Sequence, residues 1–191
     1  MNQFREVKTF FKKQYPLNKH GLEELFSLFE LKKIDKNTIL LKENDFEKEL
    51  RFLNKGIIRE YYSTSEREIN INFYTQPQFI TDLSAFNSGL TTKKNQQSLT
   101  KIELLSIDKV KFEKLLEKYQ CGKSIIESSF QKLLKHKELL EYNRITKTPE
   151  QLYQELFIYK KHWLELIPQY HIASFLNISP ETLSRIRKRI S

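Results

Sequence analysis

The sequence contains a single cysteine, Cys121, and no long apolar run. One cysteine excludes an intramolecular disulfide and a four-cysteine iron–sulfur cluster. No stretch approaches the roughly 18 consecutive apolar residues that a membrane-spanning helix requires. The first residues also lack the apolar core of a signal peptide. These absences predict a cytoplasmic protein that does not interact with a membrane.

Histidine is also scarce and unevenly placed, which limits the enzyme chemistry that we expect. The four histidines are His20, His136, His162 and His171. None lies between residues 31 and 107, where the sequence is β-rich, so the histidine cluster of a β-barrel metalloenzyme is not expected there. A haem ligand is not expected there either, and no nucleophile–base pair stands out. We expect no metal, no cofactor and no enzymatic activity.

Glycine is rare as well, with 4 residues in 191, whereas 14 phenylalanines and 9 tyrosines supply material for a packed core. The chain is long enough for one large domain or two small ones. Its 33 basic residues against 24 acidic ones give a net charge of +9. Such a balance favours nucleic acid as a partner. The alternative is a soluble protein from a lysine-rich proteome.

Short alternating segments predict β-strands between Leu31 and Ile107. They are 38-TILLK-42, 50-LRFLNKGIIREYY-62, 68-EININ-72 and 102-IELLSI-107, separated by polar turn clusters. This spacing is typical of an all-β sandwich or barrel. In 68-EININ-72, the alternation predicts one face with Ile69 and Ile71 and a second, polar face with Asn70.

A long helix is predicted over residues 123–144, because this segment has no glycine or proline and a helical period of apolar residues. Its narrow stripe consists of Ile126, Phe130, Leu133, Lys137 and Leu140. A narrow stripe is typical of a coiled-coil seam, which predicts a dimer helix. The alternative is a helix that packs against its own β-domain.

Residues 144–148 are predicted to be a hinge, because a new helix start follows them. Thr148 and Pro149 have the order of a helix cap and a first helical position. The helix that follows is expected to bury Leu152, Leu156, and either Phe157 or Tyr159.

The end of the sequence, 169-QYHIASFLNISPETLSRIRKRI-190, predicts two short helices around a tight turn. In the first helix, Ile172, Ala173 and Leu176 are expected to face inward. Asn177 favours the left-handed backbone conformation that ends a helix. Ser179 and Pro180 then have the chemistry of a cap and a first helical position. In the second helix Leu183, Ile186 and Ile190 share the inward face.

The outward face of the second helix carries groups that suit a DNA major groove. Arg185 can donate two hydrogen bonds to guanine, and Glu181 can accept one from cytosine. The alternative is that these two residues pair with each other at i, i+4 on a solvated helix. The predicted DNA-binding residues are Gln169, Tyr170, Ser179, Pro180, Glu181, Thr182, Ser184, Arg185, Arg187, Lys188 and Arg189.

The chain resembles the Crp/Fnr family of bacterial transcription regulators, most strongly in 167-IPQYHIASFLNISPETLSRIRKRI-190. The resemblance extends to 36-KNTILLKENDFEKELRFLNKGIIREYY-62, and to 66-REININ-71 with 77-PQF-79. It implies an α+β protein with a jelly-roll sensor domain (1–122), a dimerisation helix (123–144) and a helix–turn–helix DNA-binding domain (145–191). It also implies a homodimer that binds double-stranded DNA, and RNA polymerase as a further candidate partner.

The sequence departs from the family in the predicted effector pocket. Family members that bind cyclic AMP have a Gly-Glu pair where Thr81-Asp82 stand, and an arginine for the phosphate. Here no arginine occurs between Arg67 and Arg144. The residues at the corresponding position are Thr81, Asp82, Leu83, Ser84, Lys93 and Lys94. A lysine cannot form the bidentate contact of an arginine, so cyclic AMP is not expected as the effector.

The sequence therefore predicts a transcription regulator that binds a palindromic DNA site as a homodimer and responds to an unidentified effector. The alternative is a ligand-binding sensor that acts through protein partners and retains a vestigial DNA-binding domain.

Overall fold

The computed structural model describes residues 7–9, 17–120, 131, 134–135, 138–143 and 145–190. The helices are α1 (Lys19–Leu28), α2 (Leu83–Ser88), α3 (Lys109–Lys118), α4 (Pro149–Tyr159), α5 (Lys161–Leu166), α6 (Gln169–Phe175) and α7 (Pro180–Ile190). The strands are β1 (Glu30–Ile34), β2 (Ile39–Leu41), β3 (Glu49–Lys55), β4 (Ile58–Ser63), β5 (Glu68–Tyr74), β6 (Gln78–Phe79), β7 (Asn95–Ser98) and β8 (Ile102–Asp108). Residues 138–143 are also helical.

The strands form two four-stranded antiparallel sheets, which confirms the predicted β-sandwich. The first sheet has the order β1-β8-β3-β6 and the second has the order β2-β7-β4-β5. Apolar side chains from both sheets, including Leu53, Ile58 and Leu104, are buried in one cluster. The sequence did not reveal β7, because its residues 95-NQQS-98 carry none of the apolar alternation that marks a strand.

The turn between β3 and β4 depends on Gly56. Its φ of +104° lies where side chains are strained, and a Cβ there would lie 2.6 Å from the carbonyl oxygen of Lys101. Only glycine avoids both problems, so the Asn54-Lys55-Gly56 cluster fixes where this hairpin folds.

Helices α1 and α3 pack together and cover the first sheet. Leu25, Phe52, Leu105 and Phe112 belong to this cluster and are all at most 5% exposed. Asp108 caps α3 by accepting hydrogen bonds from two backbone N–H groups of that helix.

A separate apolar cluster lies among the helices after residue 148. It includes Leu156, Trp163, Ile172, Ala173 and Leu183, all at most 5% exposed. Thr148 forms the predicted cap and Pro149 is the first residue of α4.

The prediction that Phe157 or Tyr159 would be buried in α4 was wrong, because both are more than half exposed. Tyr153 is buried instead. Tyr153 and Leu156 are three residues apart and therefore share the buried face of α4. Phe157 and Tyr159, in the last turn, lie on the exposed face.

The predicted polarity of β5 was also wrong. Asn70, expected on the polar face, is only 1% exposed. Ile69 and Ile71 are half-buried. The reason is that α6 packs against β5 and covers Asn70.

The predicted dimer-helix residues Ile126, Phe130, Leu133 and Lys137 lie outside the described residues. Leu140 is helical and half-buried. The domain boundaries remain predictions. Among the described residues, no helix is long and apolar enough to cross a membrane, and no group of histidine, cysteine and carboxylate residues could hold a metal ion.

Candidate functional site

The first candidate site is the terminal helix pair, defined as α6 and α7. The turn between the helices forms as predicted, because Asn177 adopts a left-handed conformation with φ of 59°. The N–H of Ile178 then donates back to the carbonyl oxygen of Ala173 at 3.0 Å. Ala173 is 1% exposed and has only a methyl group, which allows α7 to cross α6 closely.

The start of α7 is also formed as predicted. The hydroxyl oxygen of Ser179 accepts from the N–H of Thr182 at 3.2 Å, and Pro180 is the first helical residue. Leu183 and Ile186 are buried against α6, and Ile190 is half-buried. These contacts fix which face of α7 points to solvent.

That outward face presents the predicted polar and cationic residues. Glu181, Ser184, Arg185, Arg187, Lys188 and Arg189 are exposed, as are Gln169 and Tyr170 at the start of α6. The hydrogen bond from the Ser179 hydroxyl lowers the pKa of Glu181, and the nearby charge of Arg185 adds to this effect. Glu181 is therefore a hydrogen-bond acceptor at neutral pH.

The alternative interpretation of this face was an ion pair between Glu181 and Arg185. The ion pairs of the described residues do not include one between these two side chains. Arg189 does pair, with Glu150 of α4. Arg185 therefore remains available on the outward face.

The second candidate site is the predicted effector pocket, and its centre is Asp82. This residue is 4% exposed and caps α2 by accepting from the N–H of Ser84 at 3.2 Å. The hydroxyl of Thr92 donates to the same carboxylate at 2.7 Å. The ammonium of Lys94 donates to it at 3.3 Å.

Glu60 joins this network from β4. Its Oε1 lies 3.7 Å from the ammonium of Lys94 and accepts from the amide of Gln96 at 3.0 Å and the hydroxyl of Tyr74 at 3.2 Å. Burial opposes the charge of Lys94, but the carboxylates of Glu60 and Asp82 outweigh it and raise its pKa. Lys94 therefore remains charged, with Glu60 and Asp82 as its counter-ions.

Sequence reasoning missed a buried ion pair in the same region, between Glu47 and Arg51. Both side chains are 3% exposed. Glu47 also accepts from the N–H of Asp82 at 3.2 Å, which ties the pair to the start of α2. Burial raises the pKa of Glu47 despite the adjacent guanidinium. The available signal was a charged residue inside the apolar segment 50-LRFL-53.

These residues do not suit the phosphate of a cyclic nucleotide. The cations Arg51 and Lys94 are already paired with the three carboxylates of Glu47, Glu60 and Asp82. Lys93 is exposed, and its ammonium lies 3.4 Å from the side-chain oxygen of Asn44. An incoming anion would add negative charge where carboxylates already outnumber cations.

The predicted effector-pocket residues line neither of two cavities in the described structure. One cavity of about 430 Å³ lies between the second sheet and α6 and includes Arg59, Asn70 and His171. The other, of about 390 Å³, lies beside the loop from β2 to β3. Neither is lined by Thr81, Asp82, Leu83, Ser84, Lys93 or Lys94.

Comparison with known proteins finds a family match within the β-sandwich. The family model described as cyclic nucleotide-binding domain matches residues 31–119, which is less than half of the chain. This segment is therefore similar to cyclic nucleotide-binding domains. No curated protein sequence matches the chain.

The structural neighbours include Crp/Fnr-type regulators. FixK2 from Bradyrhizobium japonicum is 14% identical with a TM-score of 0.70, over 85% of this chain and 84% of that chain. CLP from Xanthomonas campestris, described as responsive to c-di-GMP, is 14% identical with a TM-score of 0.66, over 91% of each chain. The catabolite activator protein of Thermus thermophilus is 12% identical with a TM-score of 0.57, over 100% of this chain and 86% of that chain. At these identities the likeness establishes a shared fold.

Proposed function

We propose that the protein is a transcription regulator that binds double-stranded DNA as a homodimer, with α7 as the helix that enters the major groove. The observation that carries this proposal is the outward face of α7. It combines exposed cations and an ionised carboxylate on a helix whose opposite face is buried against α6.

Two residues of α7 are proposed to read bases. Arg185 has a planar fork that matches the O6 and N7 atoms of guanine. Glu181 is ionised and can accept from the N4 amino group of cytosine. Their spacing of one helical turn places both side chains on the same edge of α7.

The remaining polar residues of the terminal helix pair are proposed to contact phosphates. Arg187 and Lys188 supply charge, and Ser179 and Thr182 lie at the start of α7, where the backbone N–H groups favour an anion. Contacts of this kind release counter-ions, so affinity should fall steeply as salt rises.

We further propose that the β-sandwich is a sensor whose effector is not a cyclic nucleotide. Support comes from the buried network around Asp82, in which the cations Arg51 and Lys94 are already neutralised. Titration calorimetry with cyclic AMP and cyclic GMP should give no binding heat in the millimolar range. RNA polymerase is a further proposed partner, which follows from the resemblance to the Crp/Fnr family.

The decisive experiment is selection of genomic DNA fragments by the purified protein without added ligand, followed by sequencing. A dimer is expected to enrich a palindrome with half-sites about 34 Å apart. Binding without any enrichment would contradict sequence reading by the ligand-free protein.

A sensor that acts through protein partners, with a vestigial DNA-binding domain, would show no DNA affinity at all. In that case Arg185→Ala would also have no effect on any property other than stability. A protein that stays monomeric at micromolar concentration would contradict the homodimer.

A further inference from the structure

The outer edge of β5 is covered by α6 rather than left open. β5 is the last strand of the second described sheet. Its outward backbone groups would therefore lack a strand partner. The hydroxyl of Ser174 replaces that partner: it accepts from the N–H of Asn70 at 3.0 Å and donates to the carbonyl oxygen of Glu68 at 2.9 Å.

A second polar contact on the same edge joins Asn70 to His171. The amide nitrogen of Asn70 lies 3.2 Å from the carbonyl oxygen of His171 and 3.2 Å from its Nδ1. An amide nitrogen only donates, so Nδ1 accepts and the ring proton lies on Nε2. Burial lowers the pKa of His171 to about 4, which agrees with this neutral ring.

Aromatic packing strengthens the same junction. Phe73 of β5 is 2% exposed and belongs to the apolar cluster of the helices after residue 148. Its ring centroid lies 5.0 Å from that of Trp163 and 6.1 Å from that of Phe175. The hairpin of β4 and β5 is therefore packed into the terminal helices as part of their core.

This docking brings the tip of the β4–β5 hairpin to the turn of the terminal helix pair. Arg67, at the end of the hairpin loop, donates from its terminal nitrogen to the side-chain oxygen of Asn177 at 2.8 Å. Asn177 lies two residues before Ser179, which caps α7. The guanidinium has five N–H donors, and this contact uses one nitrogen. Arg67 is exposed, so its other donors face solvent beside the start of α7.

We propose that Arg67 is a DNA-backbone contact supplied by the sensor domain, held in place by the docking of β5 on α6. This inference rests on the proposed DNA-binding function. It adds a phosphate ligand from a segment more than 100 residues before the terminal helix pair. It also gives the sensor a direct route to DNA affinity, because any change that undocks β5 withdraws one cation from the interface.

The test is the salt dependence of DNA binding, measured by fluorescence anisotropy for the wild-type protein and four variants. Arg67→Ala should reduce the slope of log affinity against log salt by about 1.8, because the homodimer loses two phosphate contacts worth about 0.9 each. The loss should be equal on the selected site and on unrelated DNA, because phosphates carry no sequence. Arg67→Lys should restore most of the slope, since lysine keeps the charge.

Lys111→Ala is the matched control, because it removes the same charge from α3, where Lys111 pairs with Glu30. Its slope should equal that of the wild type. Ser174→Ala should lose the same slope as Arg67→Ala, although Arg67 is still present. Hydrogen exchange at the N–H of Asn70 should accelerate in this variant simply because its acceptor is lost. Undocking is verified independently of DNA by a change in the fluorescence of Trp163, the single tryptophan, which packs against Phe73 of β5.

The outcomes separate this inference from the proposed function. If the wild type binds DNA and Arg67→Ala has an unchanged slope, the inference is wrong and the function stands. If Ser174→Ala undocks β5 but keeps the slope, docking does not hold Arg67 at the DNA. If the wild type has no salt-dependent affinity for DNA, the proposed function fails and this inference fails with it.

Discussion

The two candidate sites use charged residues in opposite ways. In the β-sandwich, the buried Glu47 pairs with the buried Arg51, and the buried Asp82 pairs with Lys94. On α7, Arg185 and Lys188 are exposed. Buried charges must be neutralised locally, because leaving one unpaired in the interior is costly. Exposed charges keep their hydration and can exchange it for a ligand. The comparison indicates that the buried charges in the sandwich serve the fold, whereas Arg185 and Lys188 on α7 are exposed at a surface suited to binding.

The largest expected effect tests the first half of this comparison. Arg51→Met leaves Glu47 buried without its cation and should reduce the free energy of unfolding by about 3–5 kcal/mol. The double variant Glu47→Leu with Arg51→Met should lose less than Arg51→Met alone, because no buried charge is left unpaired. Urea unfolding monitored by circular dichroism measures both. Lys101→Ala, which breaks an exposed pair with Asp35, is the control and should change stability by about 0–1 kcal/mol.

If Arg51→Met proved as mild as Lys101→Ala, the buried pair would contribute little to the fold. Its residues would then be free to serve a ligand, and the contrast between the two sites would disappear.

The second effect tests the exposed charges. Arg185→Ala should weaken binding to the selected DNA site by about 1–3 kcal/mol per half-site and relax the preference at one base pair in each half-site. Its effect on stability should be within about 0.5 kcal/mol, because the side chain is exposed. Competition binding with single-base variants of the site measures the preference. An equal loss on all sequences would instead place Arg185 on a phosphate.

The third effect concerns His171, a titratable group at the junction between the two regions. Its pKa is lowered to about 4 by burial and by the charge of Arg59, with Glu68 acting in the opposite direction. The unfolded chain binds the proton near pH 6.5, and the folded chain binds it only near pH 4. This contribution to stability is therefore complete above pH 6.5 and is lost as the pH falls towards 4.

The expected loss from His171 is about 2 kcal/mol between pH 7 and pH 5. Urea unfolding at several pH values measures it. His171→Gln retains a side chain that can accept from Asn70 and should remove this part of the pH dependence. A wild-type protein with equal stability at both pH values would show that the ring is not buried in solution.

The smallest effect concerns the cap at the start of α4. Thr148→Ala removes the hydroxyl that accepts from the N–H of Gln151 and should cost about 1 kcal/mol. DNA affinity should not change under conditions in which the variant is fully folded, because the Thr148 hydroxyl makes none of the proposed DNA contacts. Thermal unfolding measures the stability of the variant, and fluorescence anisotropy measures its DNA affinity. A fall in affinity without a fall in stability would indicate that the segment before α4 controls the terminal helix pair.

The sequence predicted the terminal helix pair well because its information is local. Asn177 at a left-handed turn, the Ser179-Pro180 start and the inward spacing of Leu183 and Ile186 depend on neighbours within one or two turns. The strands with apolar alternation were predicted for the same reason. β7 was not predicted because its Gln96 is stabilised by Glu60 and by the carbonyl oxygen of Ile80, which are 36 and 16 positions away in the chain.

The sequence by itself thus determined where the turns and caps lie and which face of α7 is polar. Only the tertiary structure decided that Asn70 is buried, that Arg51 has a partner and that Arg67 lies beside Asn177. Asn70 and His171 are 101 positions apart in the chain. The two-residue alternation of a strand predicts which residues share a face, but it does not predict which distant element covers that face. The fold supplies that information by packing α6 on the open edge of β5.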